Sequence, residues 1–406
     1  MEKNSLYKRI ISFIAVAVAL YELLFSLSHG FRWPSDYVLT NHVISYVYGF
    51  FPRAIVGTIG NLIFGDKWYI WKYPSLVILG VSFIFVLWMI YEIIQSGYCF
   101  RNVPLFILCF VFALSPYCQY YFDDAGYYEQ YGYALLVITL LFFMKDRILD
   151  VYVVPCAVGF ISLIISETNA FLILPVTFML TALSIINDKT EQAFSDIAKR
   201  TAILFATYIP HMIYIIAVWF YKVPKDLVLK LQDHDRYMVE HVRGDIPNFS
   251  FREDVHPFYY GDRSNQDVWP RMLRPVPLWS VALCILIILF TAYFFYKYTK
   301  NMKLTLSYIA GTALTGLGCY SILIVGWDVD RYYFTIFMSV FFVTVYAIKK
   351  YMPRVTADIY DLFFIAIVFV ASIGIGTHQL NLFDDREYNY GWQNFYNTLI
   401  SAGPKQ

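Results

Sequence analysis

The chain has 406 residues, 59% of them hydrophobic and only 15% charged, where soluble domains run at about 45–50% apolar and about 25% charged. That balance excludes a soluble enzyme and a disordered chain. Lys+Arg 31 against Asp+Glu 30 leaves no basic excess for a nucleic acid. The expected fold class is all-α: a polytopic integral membrane helix bundle forming one transmembrane domain over 1–406. Cys99, Cys109, Cys118, Cys156, Cys284 and Cys319 fall mostly inside apolar runs without CxxC spacing. No disulfide framework or zinc site is expected.

A helix crosses the hydrocarbon with about 20 mostly apolar residues. About eleven runs qualify, over 10–28, 74–95, 103–118, 130–145, 150–166, 169–187, 201–221, 277–297, 304–326, 331–348 and 361–379. The first ends in Leu27–Gly30 without a small-x-small cleavage site, so it reads as an anchor. Lys3, Lys8 and Arg9 place the N-terminus in the cytoplasm. The links then expected inside carry Lys145 and Arg147; Lys189, Lys199 and Arg200; Lys297, Lys300 and Lys303; and Lys349, Lys350 and Arg354. The outer links 119–129, 167–168 and 327–330 carry no Lys or Arg. Eleven crossings leave the C-terminal tail outside. The expected location is the plasma (inner) membrane, with the active site on the outer or periplasmic face.

Three outer segments exceed simple turns: 29–73, 222–276 and the tail 380–406. In the first, Tyr37–Phe51 and Arg53–Phe64 show helix-like apolar spacing on either side of Pro52. They read as two interfacial helices, or else as a re-entrant pair.

Ionisable groups near hydrocarbon are costly and mark function or a paired structural site. The spans are nearly free of charge, and the conspicuous acids gather on outer links. Asp36 follows the first span and reads either as a helix cap or as a catalytic acid. Asp123 and Asp124 adjoin in a link without a basic residue. Adjacent carboxylates repel unless a cation or a proton transfer uses them, so both join Asp36 as catalytic candidates. Glu129 follows one helical turn on. Glu167 sits in a tight link, where Thr168 and Asn169 are also able to cap. Asp328, Asp330 and Arg331 form either a local ion pair or a holder for an anionic headgroup or phosphate. With Arg53, these residues make up the candidate substrate-binding set. A divalent Mg2+ or Mn2+ on Asp123 and Asp124 is the one cofactor the pattern suggests. His211, mid-span, reads as a packing residue. Aromatic belts account for most Tyr and Trp clusters.

Segment 222–276 carries nine acidic and nine basic residues. They include Arg236, Arg243, Arg252, Arg263, Arg271 and Arg274, beside His234, His241 and His256. One helix is expected near 225–242. The segment reads as a solvated lid, or as one whose arginines neutralise a phosphate leaving group. No Walker A or Rossmann glycine pattern is present.

The chemistry that suits this layout joins an anionic lipid-linked donor to a hydroxyl acceptor. A carboxylate acts as base and a cation stabilises the leaving phosphate. In its first half the layout resembles the GT-C superfamily of membrane glycosyltransferases, which use polyprenyl-phosphate or polyprenyl-diphosphate sugars. The resemblance rests on a first span, then an outer loop with interfacial helices and Asp36, then a second outer loop with Asp123 and Asp124. It implies that Asp36 is the base and that Asp123 or Asp124 assists or holds a metal. A single Asp36 stands here where many members carry an acidic pair. The large loop 222–276 also resembles Wzy-like polysaccharide polymerases and O-antigen ligases. The implied partners are a polyprenyl-linked sugar, a glycan, lipid or protein acceptor, and membrane lipids, with no nucleic acid. The alternative of another class is a lipid-linked sugar flippase or transporter. It is disfavoured by acids gathered at one face and by the lack of two-half symmetry.

Overall fold

A computed structural model describes residues 2–123, 126–187, 194–221, 223–241, 278–324, 329–356, 358, 360–361, 365–368, 370–371 and 391–401. The regular elements among them are helical. They are α1 (Glu2–Gly30), α2 (Asp36–Val43), α3 (Ala54–Phe64), α4 (Lys72–Gly97), α5 (Val103–Leu114), α6 (Pro116–Asp123), α7 (Glu129–Phe142), α8 (Val154–Ile165), α9 (Asn169–Leu172), α10 (Leu174–Ile186), α11 (Phe194–Thr207), α12 (Ile209–Phe220), α13 (Lys225–His241), α14 (Leu278–Thr299), α15 (Met302–Tyr320), α16 (Val329–Tyr351) and α17 (Gly391–Ile400). Among the described residues six helices are long and apolar enough to cross a membrane, or seven if the bent pair α5–α6 is one span. This is an all-α helix bundle of membrane type.

Ten of the expected apolar runs fall on these helices. The eleventh, 361–379, lies largely outside the described residues. Proline explains why several runs are interrupted. It lacks an amide donor and pushes the preceding residue out of helical geometry. Ser115, before Pro116, is extended with ψ 150°, and α5 and α6 meet at 66°. Pro175 and Pro210 stand in the first turns of α10 and α12, where a missing N–H is harmless. The runs 169–187 and 201–221 are therefore each two helices.

Among the six long apolar helices α16 is the most enclosed. Of its apolar stretch 89% is buried, against 28% for α1 and 22% for Ser195–Phe220, so α16 is central and the others are peripheral. Its Phe337, Phe341 and Phe342 interlock with Phe85, Trp88 and Phe112. Edge-to-face and offset contacts of this kind add about 0.5–1.5 kcal/mol per pair beyond burial.

Cross-links divide the bundle into two ends. At one, Tyr128 Oη donates to the Asn41 carbonyl at 2.7 Å, Tyr221 Oη to that of Phe50 at 2.9 Å, and Arg53 pairs with Glu167. The C-terminal helix α17 lies there too, through Trp33 Nε1 on the Thr398 carbonyl and Phe31 against Phe395. At the other end, Lys349 pairs with Glu92, Lys297 with Asp358 and Asp361, and Asn187 with Ser307. This corrects the expectation that conspicuous acids gather at one face. Glu92, Asp150 and Asp361 are buried at the second end. Their basic partners Lys349, Arg147 and Lys297 come from residues that looked like mere markers of sidedness.

The helix expected over Tyr37–Phe51 is shorter. It ends at Val43, Ile44 is extended, and a separate 3-10 turn spans Tyr46–Tyr48. The break is satisfied from outside. Trp68 Nε1 donates to the His42 carbonyl at 2.8 Å, and α3 presses Gly57 against the same turn. A Cβ on Gly57 would lie 2.0 Å from the Ile44 carbonyl oxygen and 2.7 Å from that of His42. Both obstacles are backbone and have little room to yield. Gly57→Ala is therefore expected to destabilise the protein by about 1–3 kcal/mol. A lowered thermal midpoint in detergent is the check, and an unchanged midpoint would refute the close packing.

Candidate functional site

Asp36 is the first residue of α2, and Ser35, not Asp36, is its cap. Ser35 Oγ accepts the Val38 amide at 3.4 Å, which overturns the capping reading of Asp36. Among the described residues the Asp36 carboxylate holds no hydrogen bond. It is half-buried, and that burial raises its pKa above the usual carboxylate value. The partial positive charge of the helix N-terminus lies beside it.

The second acidic link reaches α2 through backbone packing. Gly126, at φ +99°, is so close that a Cβ there would meet Val38 Cγ1 at 2.5 Å. Gln130, which the sequence did not single out, braces this link. Its Nε2 donates to the Tyr121 carbonyl at 2.8 Å, and its Oε1 accepts from the Gly126 amide at 3.0 Å and from Ser82 Oγ at 2.5 Å. One amide thus ties both flanks of Asp123–Asp124. Asp123 ends α6, and its side chain and all of Asp124 lie outside the described residues. Among those described, no group of three or more His, Cys, Asp or Glu could hold a metal ion.

Glu129 opens α7 and is buried, with Oε1 accepting Thr168 Oγ1 at 3.4 Å. It lines a narrow cavity with Tyr120, Gln130, Tyr133, Phe334 and Thr335. Phe334 and Thr335 belong to the first turns of α16, so the fourth acidic link begins nearby. Asp330 and Arg331 are in the first turn of α16. Their side chains, and all of Asp328, lie outside the described residues.

Glu167 does not cap α9, whose cap residue is Thr168. It pairs instead with Arg53, which is 114 residues away in sequence. Arg53 Nε reaches both carboxylate oxygens, at 3.1 and 2.9 Å, and Nη2 adds a third contact. The side chains are 12% and 13% exposed, so this is a largely enclosed bidentate pair. Arg53 turns into position with φ 66° at the head of α3.

A buried histidine beneath Asp36 also escaped the sequence reading. His42 Nδ1 donates to the Val38 carbonyl at 2.8 Å, which leaves Nε2 to accept Tyr131 Oη at 3.0 Å. The Tyr128 ring stacks on it at 4.8 Å. Burial pulls the His42 pKa down to about 4, so the ring is neutral and structural. His211 bonds the Cys156 carbonyl at 2.9 Å, as a packing histidine would.

The helix expected near 225–242 is α13, and it lies on the first-loop hairpin. Leu227 touches Gly49, and Leu231 and Met238 join Trp68, Tyr69 and Trp71 in one apolar cluster. His234 packs 5.0 Å from both the Tyr48 and Tyr69 rings. His241 stacks on Tyr237. Arg236 is exposed beside Asp233. Arg243, Arg252, Arg263, Arg271, Arg274 and His256 lie outside the described residues.

Docking of α13 is expected to depend on pH. Burial raises the Asp235 carboxyl from 3.8 to about 6, so the charged form is disfavoured in the docked helix. That penalty is absent below pH 3.8 and complete once pH has risen through about 6. His234, lowered by burial with Asp66 opposing, works the other way and must stay neutral. Asp235→Asn removes only the first effect. Amide exchange in α13, corrected for intrinsic rate, should slow in this variant at pH near 7.5 and lose its response near pH 6. Equal exchange in both proteins would refute this.

The first link, the described flanks of the second and the third thus come from distant parts of the chain to one end of the bundle, and the first turns of α16 lie beside Glu129. No family model, no curated protein and no solved structure matches the chain.

Proposed function

We propose that the protein is a membrane glycosyltransferase of GT-C-like type. It transfers a sugar from a polyprenyl-phosphate or polyprenyl-diphosphate donor to an acceptor hydroxyl, in surface glycan synthesis. The observation that carries the reading is the convergence of Asp36, the Gln130-braced link of Asp123–Asp124, Glu129 and the Arg53–Glu167 pair at one end. This is the end that the Lys and Arg bias puts outside.

Asp36 is the base. Its carboxylate takes the acceptor O–H proton as that oxygen bonds the anomeric carbon. The anomeric carbon–phosphate oxygen bond breaks, and the phosphate leaves with the electron pair. A raised carboxylate pKa improves proton transfer near neutral pH. Asp123 and Asp124 support Asp36 or hold a divalent cation. Arg331 or an arginine of 222–276 neutralises the leaving phosphate. Arg53 and Glu167, paired with each other, hold α3 against the α8–α9 link and shape the substrate wall. The packing of α13 over α2 and α3 favours one second reading, a Wzy-like polymerase or ligase with the large loop as lid.

The test is the surface-glycan and lipid-linked saccharide profile of a deletion strain, with and without the wild-type gene. A glycan lacking one sugar supports single-sugar transfer. Single repeat units without long chains point to the polymerase. An unchanged profile overturns both and brings transport forward.

A further inference from the structure

At the end of the bundle opposite the candidate site, a cleft of about 660 Å3 opens between α4, α5 and the segment after α16. Its floor is a buried ion pair. Glu92 is 2% exposed, and its Oε1 accepts Trp88 Nε1 at 2.8 Å together with Lys349 Nζ. Its rim carries Gln95, Asn102, Arg101 and Arg354.

The rim is built rather than incidental. Segments 101–103 and 352–355 are joined as an isolated parallel bridge between Asn102 and Val355. The Val103 amide donates to the Val355 carbonyl at 3.0 Å, and the Val355 amide to that of Arg101 at 3.3 Å. Asn102 Nδ2 locks the pair by donating to the Met352 carbonyl at 2.7 Å. Parallel pairing sets Arg101 and Arg354 in the same register, one on each segment. Arg101 is further held over the Tyr98 ring at 5.2 Å. The turn before it places both Cys99 and Phe100 in left-handed backbone, at φ 52° and 50°. Among the described residues neither arginine has a carboxylate partner. Among the described residues lining the cleft, three cations, Lys349, Arg101 and Arg354, therefore stand against one carboxylate, Glu92.

Like charges held in register repel. An anion between the guanidiniums removes that repulsion and gains charge-assisted hydrogen bonds. We infer that this cleft is a binding site for a phosphate-bearing headgroup, with Arg101 and Arg354 clamping the phosphate and Lys349 beneath it. Guanidinium matches phosphate oxygens in bidentate geometry, which favours phosphate over a simple halide. The Lys and Arg bias puts this end at the cytoplasmic leaflet, where anionic phospholipids are concentrated. The site is separate from the candidate catalytic end, so the inference stands or falls independently of the glycosyltransferase reading.

The experiment uses the full-length protein, delipidated in neutral detergent. Binding of phosphatidylglycerol, phosphatidylcholine and inorganic phosphate is followed by native mass spectrometry and by thermal shift. Phosphatidylglycerol should bind and raise the midpoint, and phosphatidylcholine should do so far less. Arg101→Gln/Arg354→Gln should weaken phosphatidylglycerol binding by at least about tenfold, the loss of one charge-assisted contact or more. Both arginines are exposed, so the variant should fold, and each single variant gives the same reading at half strength. Lys300→Gln/Lys303→Gln removes two charges from the same end outside the cleft and should bind like wild type. Inorganic phosphate reproducing the shift, with the same arginine dependence, would assign the site to a soluble phosphate. Equal lipid binding by the arginine variant and wild type would overturn the inference, as would an equal loss in the lysine control.

Discussion

Asp36→Asn is expected to reduce sugar transfer by at least about 100-fold, the usual worth of a positioned general base, with little change in stability. The separation of the two effects follows from geometry. The cap hydrogen bond of α2 belongs to Ser35, and the Asp36 carboxylate holds no hydrogen bond among the described residues. Asparagine is of similar shape and loses only the charge. The favourable interaction of that charge with the helix dipole, about 0.3–1 kcal/mol, is offset by the burial that raises its pKa. Wild-type activity should also fall on the acid side through a pKa above the ordinary 3.8 of an aspartate, because only the deprotonated form accepts a proton. Transfer measured with a lipid-linked donor, alongside the detergent melting curve, checks both parts. Full activity in Asp36→Asn sinks the assignment of the base. Loss of both activity and fold would instead make Asp36 structural.

Arg53→Ala is expected to have the largest effect on stability, about 3–5 kcal/mol for leaving one member of an enclosed pair alone. Glu167 is 13% exposed and takes contacts from both Nε and Nη2 of Arg53. Without the guanidinium its carboxyl group is left without its partner in a poorly hydrated place. The pair also joins the first outer loop to the link between α8 and α9, so its loss loosens the wall beside Asp36. Arg53→Met/Glu167→Leu should recover much of the loss, since removing both charges leaves none uncompensated. Cys109, Cys118 and Cys319 are buried, so their reaction with a maleimide dye during heating reports unfolding. Additive losses in the double variant would show that the two side chains are not coupled. Lost transfer with an unchanged melting curve would assign Arg53 to substrate instead of scaffold.

Sequence by itself determined the all-α bundle and where its apolar helices lie. The hydrophobic runs are long, and backbone groups in hydrocarbon must bond within their own segment. The breaks at Ser115 and near Pro175 and Pro210 fall inside runs read as single spans and were seen only in the structure, although the missing amide donor of proline accounts for them. The one helix expected near 225–242 in the large loop is present as α13. Other features were decided only by the tertiary structure. The first-loop helix stops at Val43 because Trp68 and Gly57 engage its last carbonyls from elsewhere in the chain. Ser35 and Asp36 were equivalent caps by residue type, and only the local dihedrals chose between them. The partners of Glu167 and Glu92 lie 114 and 257 residues away. No periodicity or short-range spacing encodes such a pair, since it depends on which faces of helices come to pack together. Gln130 was invisible for the same reason. A polar residue in the first turn of an apolar helix has no distinguishing pattern until its amide is found between Tyr121 and Gly126.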